Sequence, residues 1–285
     1  MGKQKIYECK GGIRVKLWGK ARSSDEMPVS HPKRFSRAVD YTGLWLTVLS
    51  KFTKDDWILF DVGANVGMYS LAFKENSPKS KVYSFEPIPE TFNVLSENIS
   101  LNSNLLKGGI EVFNFGFSDT AGTKKMGLPT GYKNEGLYSL KNIDDNKDEK
   151  IVDCKFENIS DFCQKNNIYP DIIKLDVEGS ELDILKSISP EIIEKVTMIV
   201  VEMNRKPPLP QKSQVSQISI SLIKNNFLPI HPMFAQHSHK PANWTNVEKV
   251  FDQIWFNKSR IPPNIAVDNP GIMLETIYSL IQCDD

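Results

Sequence analysis

Acids and glycines at fixed spacing along three apolar runs carry the chemistry in this sequence. Trp57–Phe60 is an apolar run of strand length, followed by Asp61, Gly63, Asn65 and Gly67 in a tight turn of small and polar residues. From Val66 the spacing turns helical, with Val66, Tyr69 and Phe73 at i, i+3 and i+7. Strand, glycine turn and helix form the first crossover of a nucleotide-binding sheet. Glycines there admit a ligand close to the backbone, and the helix N-terminus presents unpaired N–H groups. A second run, Val82–Phe85, ends at Glu86, which lies 86 − 63 = 23 residues past Gly63. That is the spacing of an acid that accepts from ribose hydroxyls. A third, Asp171–Leu175, delivers Asp176-Val177-Glu178-Gly179 to the carboxyl end of the sheet.

The order of residues in the first turn selects the ligand. A dinucleotide fingerprint wants G-x-G-x-x-G with pyrophosphate on the helix dipole. Here Gly63-Ala64-Asn65-Val66-Gly67 follows an acid, Asp61. An acid beside pyrophosphate is repulsive, yet it suits the ammonium of an amino-acid moiety. S-adenosylmethionine (SAM) has that group and a sulfonium besides. This argues against an NAD(P)-dependent oxidoreductase.

Asp61–Ser70, Phe85-Glu86-Pro87 and Ile173–Glu181 together resemble the signature of the FkbM family of SAM-dependent methyltransferases, over about residues 55–205. The resemblance implies a Rossmann-like class I methyltransferase: an α/β fold with a mostly parallel seven-stranded sheet and helices on both faces. It implies O-methylation, often of a sugar or other secondary hydroxyl, and leaves the acceptor open between a carbohydrate and a polyketide-like natural product. A base N-methyltransferase commonly ends its fourth strand in an N-P-P-[YF] type motif, which Asp176–Gly179 replaces. A catalytically silent SAM-binding module is the other alternative, and the intact acids at the strand ends speak against it.

Asp61, Gly63, Asn65, Gly67, Glu86 and Asp176 are therefore expected to hold the cofactor. Ser118 and Asp119, just past the third strand, are candidates for the adenine edge. A sugar hydroxyl is a very weak acid, so its methylation calls for a general base or a metal. Asp176 is the first candidate base, with Glu178 two residues on and Glu202 ending the next strand. Three carboxylates at one rim suit either a divalent cation or the orientation of sugar hydroxyls. No spacing here diagnoses a metal site, so no metal ligands are assigned. His231, His237 and His239 cluster in one loop; His237 is a candidate base and His239 a candidate substrate contact. Tyr138 and Ser139, in Glu135–Leu140, are candidate acceptor contacts, read as a hairpin arm over the acceptor site.

The elements that must position these residues alternate regularly. Helices are expected over 66–74, 90–101, 158–166, 180–188 and 214–225, with strands 57–61, 81–85, 110–115, 171–175 and 196–201 between them. Phe227–Ile230 and Val250–Phe256 are candidates for antiparallel closing strands. Residues 270–281 read as a terminal helix on the sheet or at a subunit contact, which would allow a homodimer. The domain plan is a basic N-terminal segment, 1–52, whose helix 38–51 is a candidate lid, and a methyltransferase domain, 53–285, with an insertion at 120–150 over the acceptor.

Composition bounds the rest. The chain has 285 residues, 40% hydrophobic and 25% charged, enough for one well-packed α/β domain. Its net charge of +0 supplies no global field for nucleic acid. Residues 1–37 hold ten Lys/Arg against three acids, a local surplus of 10 − 3 = 7. That edge could attract a phosphate-bearing acceptor. Four scattered cysteines without a C-x-x-C pair fit reduced thiols. With no signal-peptide run and no transmembrane-length apolar stretch, a cytoplasmic protein is expected.

Overall fold

The structure, a computed structural model, describes residues 6–8, 14–16, 56–106, 109–129, 140, 148–204, 214–230 and 250–260. Its strands are β1 (Ile6–Glu8), β2 (Arg14–Lys16), β3 (Ile58–Val62), β4 (Lys81–Phe85), β5 (Ile110–Phe113), β6 (Gly116–Phe117), β7 (Gly122–Pro129), β8 (Asp148–Glu157), β9 (Ile172–Leu175), β10 (Met198–Asn204), β11 (Phe227–Ile230) and β12 (Val250–Asn257). Its helices are α1 (Met68–Asn76), α2 (Pro89–Leu101), α3 (Ser103–Leu106), α4 (Ile159–Asn166), α5 (Glu181–Ser187), α6 (Pro190–Ile193) and α7 (Gln214–Lys224).

The main sheet has seven strands in the order β11-β12-β10-β9-β3-β4-β5. β5, β4, β3, β9 and β10 run parallel, and β12 is antiparallel to both β10 and β11. β11 therefore points the same way as the parallel set, and β12 alone is reversed. The order turns back between β3 and β9, and in open α/β sheets ligands bind at the carboxyl ends beside such a reversal. Right-handed crossovers on either side of it send their helices to opposite faces. In keeping with this, α3 packs on α1 and α2, while α5 packs on α4 and α7.

Strand alternation divides the core. Phe60, Val62, Ile173 and Leu175 face one cluster with Phe85, Phe117 and Phe162. Phe85 stands 4.5 Å from Phe117 and 5.3 Å from Phe162 between ring centroids, so an aromatic block fills the space under the strand ends. On the opposite face Asp61, Ser84 and Lys174 occupy matched positions of three neighbouring strands.

Two departures from the sequence expectations bear on the site. The third strand of the main sheet stops at Phe113, and Gly116–Phe117 passes to a second sheet of order β6-β8-β7. β7 and β8 make an antiparallel pair, so the ends of the 120–150 stretch are strand. At the N-terminus β1 and β2 pair antiparallel, and β2 docks on the carboxyl end of α2. The Arg14 N–H donates to Asn102 Oδ1 at 2.8 Å, and Asn102 Nδ2 donates back to the Arg14 carbonyl at 2.6 Å. The cleft described below lies at the other end of that 13-residue helix, about 20 Å away. The expected lid helix 38–51, the helix 270–281 and the arm 135–139 lie outside the described residues. No helix among the described residues is long and apolar enough to cross a membrane.

Candidate functional site

The first turn rests on a buried charge. Alternation along β3 sends Asp61 towards α1, opposite Phe60 and Val62. Asp61 is fully buried; its Oδ2 accepts from Ser70 Oγ of α1 at 2.5 Å, and Lys174 Nζ stands 3.6 Å from its Oδ1. Its carboxylate supports the loop from beneath, while from this strand end the cleft wall is formed by Val62 and Gly63. Above it the loop uses three left-handed residues, Gly63 (φ +79°), Asn65 (φ 52°) and Gly67 (φ +87°). A Cβ on Gly63 would lie 1.9 Å from the Asp176 carbonyl oxygen, so only glycine lets the first loop press against the third. Gly67 caps α1 and packs against Leu95.

The second strand presents its acid beside this loop. Glu86 Oε2 accepts the Asn65 N–H at 3.0 Å and Oε1 the Ile88 N–H at 2.9 Å. Burial raises its carboxyl from the ordinary range to about 7, and the charges of Asp61 and Asp176 push the same way against those two N–H donors. The third loop, Asp176–Ser180, is tied down by Glu181 of α5. Its Oε1 accepts the N–H groups of Val177 (3.2 Å) and Gly179 (3.0 Å). Burial raises the Glu181 carboxyl as well.

Between these loops lies a cleft enclosing about 910 Å³, the open solvent at its mouth included. Gly63, Asn65, Glu86, Asp176, Glu178 and Glu202 line it, so most of the acids read from strand ends do converge. Asp176, Glu178 and Glu202 each bring a carboxylate oxygen within 4.8 Å of the other two. Lys174 Nζ donates to Asp176 Oδ2 at 3.1 Å and lies 5.1 Å from the centre of the Tyr69 ring. One buried ammonium therefore links Asp61 beneath the loop to Asp176 at the rim.

Other expected residues fall elsewhere. Ser118 and Asp119 are not in the cleft wall. The chain has left the main sheet by Gly116, so Ser118 Oγ donates to the Thr120 carbonyl at 2.7 Å and Asp119 pairs on the surface with Lys124 at 3.1 Å. Asn114 instead follows the third strand, its Nδ2 donating to the Glu86 carbonyl at 3.0 Å. Tyr138, Ser139, His237 and His239 lie outside the described residues. The sequence reading also misses part of the wall: Thr91, Phe117, Met126, Leu140 and Phe156. Lys174 belongs with the missed residues, since its i, i+2 spacing from Asp176 at the strand end puts both on one side.

Residues 61–229 match the methyltransferase FkbM domain. The chain belongs to this family. It is 33% identical to methyltransferase sdnD of Sordaria araneosa, over 50% of this chain and 65% of that protein. It is 26% identical to the hexuronic acid methyltransferase AglP of Haloferax volcanii, over 56% of this chain and 61% of that protein. The same identity, over 52% of this chain and 65% of the other, relates it to the 31-O-demethyl-FK506 methyltransferase FkbM of Streptomyces tacrolimicus. The matches thus cover just under two thirds of these relatives' own lengths.

The cofactor of this FkbM-type fold is SAM, and the residues present fit it. Glu86 stands in the cleft wall, each oxygen fixed by one backbone N–H and keeping a lone pair that can accept from a ribose hydroxyl. An acid-rich rim suits a sulfonium and an ammonium. Two residues of the wall, Asn65 and Thr91, each carry a buried polar atom, Oδ1 and Oγ1, with no hydrogen-bond partner among the described residues. Groups of that kind are normally satisfied, and a polar ligand in the cleft would supply the missing partner.

Proposed function

We propose that this chain is a SAM-dependent O-methyltransferase acting on a hydroxyl of a carbohydrate acceptor. The observation that carries the reading is the meeting of Asp176, Glu178 and Glu202 within 4.8 Å at the mouth of the cleft. Carboxylates accept hydrogen bonds only, and several around one point suit a ligand with several adjacent hydroxyls. Charge-assisted bonds of that sort contribute about 1.5–3 kcal/mol each. AglP is named for a hexuronic acid, a sugar with several adjacent hydroxyls.

When bound, SAM supplies an electrophilic methyl on a sulfonium with a neutral leaving group. The chain's share is to hold the acceptor hydroxyl in line and take its proton. Asp176 performs the second task, fixed by Lys174 on one oxygen and lining the cleft. Glu178 and Glu202 orient the neighbouring hydroxyls. Positioning of this kind accounts for about 7–11 kcal/mol of barrier lowering in well-oriented systems. Met126 and Phe156 of the β7–β8 pair line the cleft, which supports placing the 120–150 stretch over the acceptor.

The apolar wall of Met126, Leu140 and Phe156 favours a second reading, methylation of a hydroxyl on a natural product with an apolar body. Labelled-methyl transfer from SAM to glycan fractions and to natural-product extracts separates the two. Label in the glycan fraction supports the first; label only in the apolar extract supports the second. Binding of SAM without transfer to either would point to a silent module.

A further inference from the structure

We infer that Thr91 is a cofactor-binding residue, its hydroxyl bonding to the nucleoside half of SAM. This rests on the cleft being the SAM site. Thr91 lies in the first turn of α2, which begins at Pro89 directly after Glu86-Pro87-Ile88. The residue is 1% exposed and forms part of the cleft wall with Glu86, Ile88 and Phe117. Its Oγ1 has no hydrogen-bond partner among the described residues.

A helical threonine ordinarily bonds the carbonyl three or four residues back. Four back from Thr91 is Pro87, yet that carbonyl accepts from Asn114 Nδ2 at 3.3 Å. The Ile88 carbonyl, three back, accepts the Phe92 N–H at 2.8 Å. Both carbonyls keep a second lone pair, yet the Thr91 hydroxyl bonds to neither. What remains is a buried hydroxyl able both to donate and to accept, at the end of the cleft marked by Glu86. A buried hydroxyl left unsatisfied is costly, whereas one completed by a ligand is favourable. Glu86 takes the ribose hydroxyls, and Thr91 bonds a further polar atom of the same nucleoside.

Thr91→Val replaces the hydroxyl with a methyl of nearly the same shape, and Thr91→Ser keeps it. Calorimetric titration of the full chain with SAM, S-adenosylhomocysteine and adenosine reads the contact, and thermal melting without ligand reads any structural role. The expected result for Thr91→Val is a loss of affinity of about three- to tenfold for all three ligands, with no fall in the ligand-free melting temperature. Thr91→Ser should bind within about twofold of the parent. Parent-like binding by Thr91→Val, or a lowered melting temperature with unchanged affinity, overturns the assignment. An effect on SAM and S-adenosylhomocysteine but not on adenosine also overturns it, by moving the contact to the amino-acid half. Failure of the parent chain to bind SAM would instead remove the SAM reading itself.

Discussion

Lys174 Nζ lies 3.6 Å from Asp61 Oδ1, and both side chains are buried beneath the glycine loop at paired positions of β9 and β3. Removing one partner of such a pair strands a charge, at a cost of about 3–5 kcal/mol. Lys174→Met should therefore lower the melting temperature by ten degrees or so, at about 2–4 °C per kcal/mol for a domain of this size. Asp61→Asn combined with Lys174→Met should recover most of that loss. Equal melting of the single and double variants in calorimetry would show that the pair is not coupled.

Glu86 gives the cofactor site a pH dependence whose sign follows from its environment. Its folded carboxyl titrates at about 7, above the unfolded value of 4.5. The stability this group contributes is complete below pH 4.5 and lost as pH rises through 7, a fall of roughly 3 kcal/mol in the ligand-free chain. Ribose hydroxyls donate to the ionised form, so SAM affinity should move the opposite way and rise about tenfold between pH 6 and pH 8. Glu181, also raised by burial, is intact in Glu86→Gln. That variant should bind weakly with a flat profile. A profile unchanged by it would assign the titration elsewhere.

The two loop glycines should differ in their tolerance of alanine. At Gly63 the new Cβ meets the rigid Asp176 carbonyl oxygen at 1.9 Å, whereas at Gly67 it meets the movable Leu95 Cδ1 at 2.6 Å. Gly67→Ala should cost about 1–2 kcal/mol for its left-handed backbone. Gly63→Ala should exceed about 4 kcal/mol and abolish SAM binding. Denaturant melts of the two variants check the ranking.

Much of this was readable from local patterns. The first turn, the acid 23 residues on and the third acidic loop all rest on short-range spacing, and all three meet at the cleft. Long-range events were not legible. Ser118 and Asp119 look like strand-end residues only if the chain stays in the main sheet, and it leaves at Gly116. Strand β8 was obscured by charge, although Val152, Cys154 and Phe156 alternate with Asp153 and Lys155 at period two. Thr91 carried no signal, since the lack of a partner for its hydroxyl shows only in three dimensions.

If Asp176 takes the acceptor's proton, Asp176→Asn should reduce turnover by about 10²–10⁴, far more than it lowers SAM affinity. Labelled-methyl transfer to the acceptor fraction, paired with calorimetry, reads both. Turnover at the parent rate would remove Asp176 from the reacting centre.

The three-carboxylate rim raises the question of a cation. With Lys174 already pairing Asp176 at 3.1 Å, methyl transfer should proceed unchanged in EDTA. Loss of activity restored by Mg²⁺ or Ca²⁺ would make the rim a metal site instead.

Titration of the full chain with SAM and, separately, with NAD⁺ in a calorimeter tests the occupant of the cleft most directly. The geometry predicts saturable heat with a stoichiometry of one for SAM, weakened in Glu86→Ala, and none for NAD⁺. Heat with NAD⁺ but not with SAM, or SAM binding indifferent to Glu86→Ala, would contradict it.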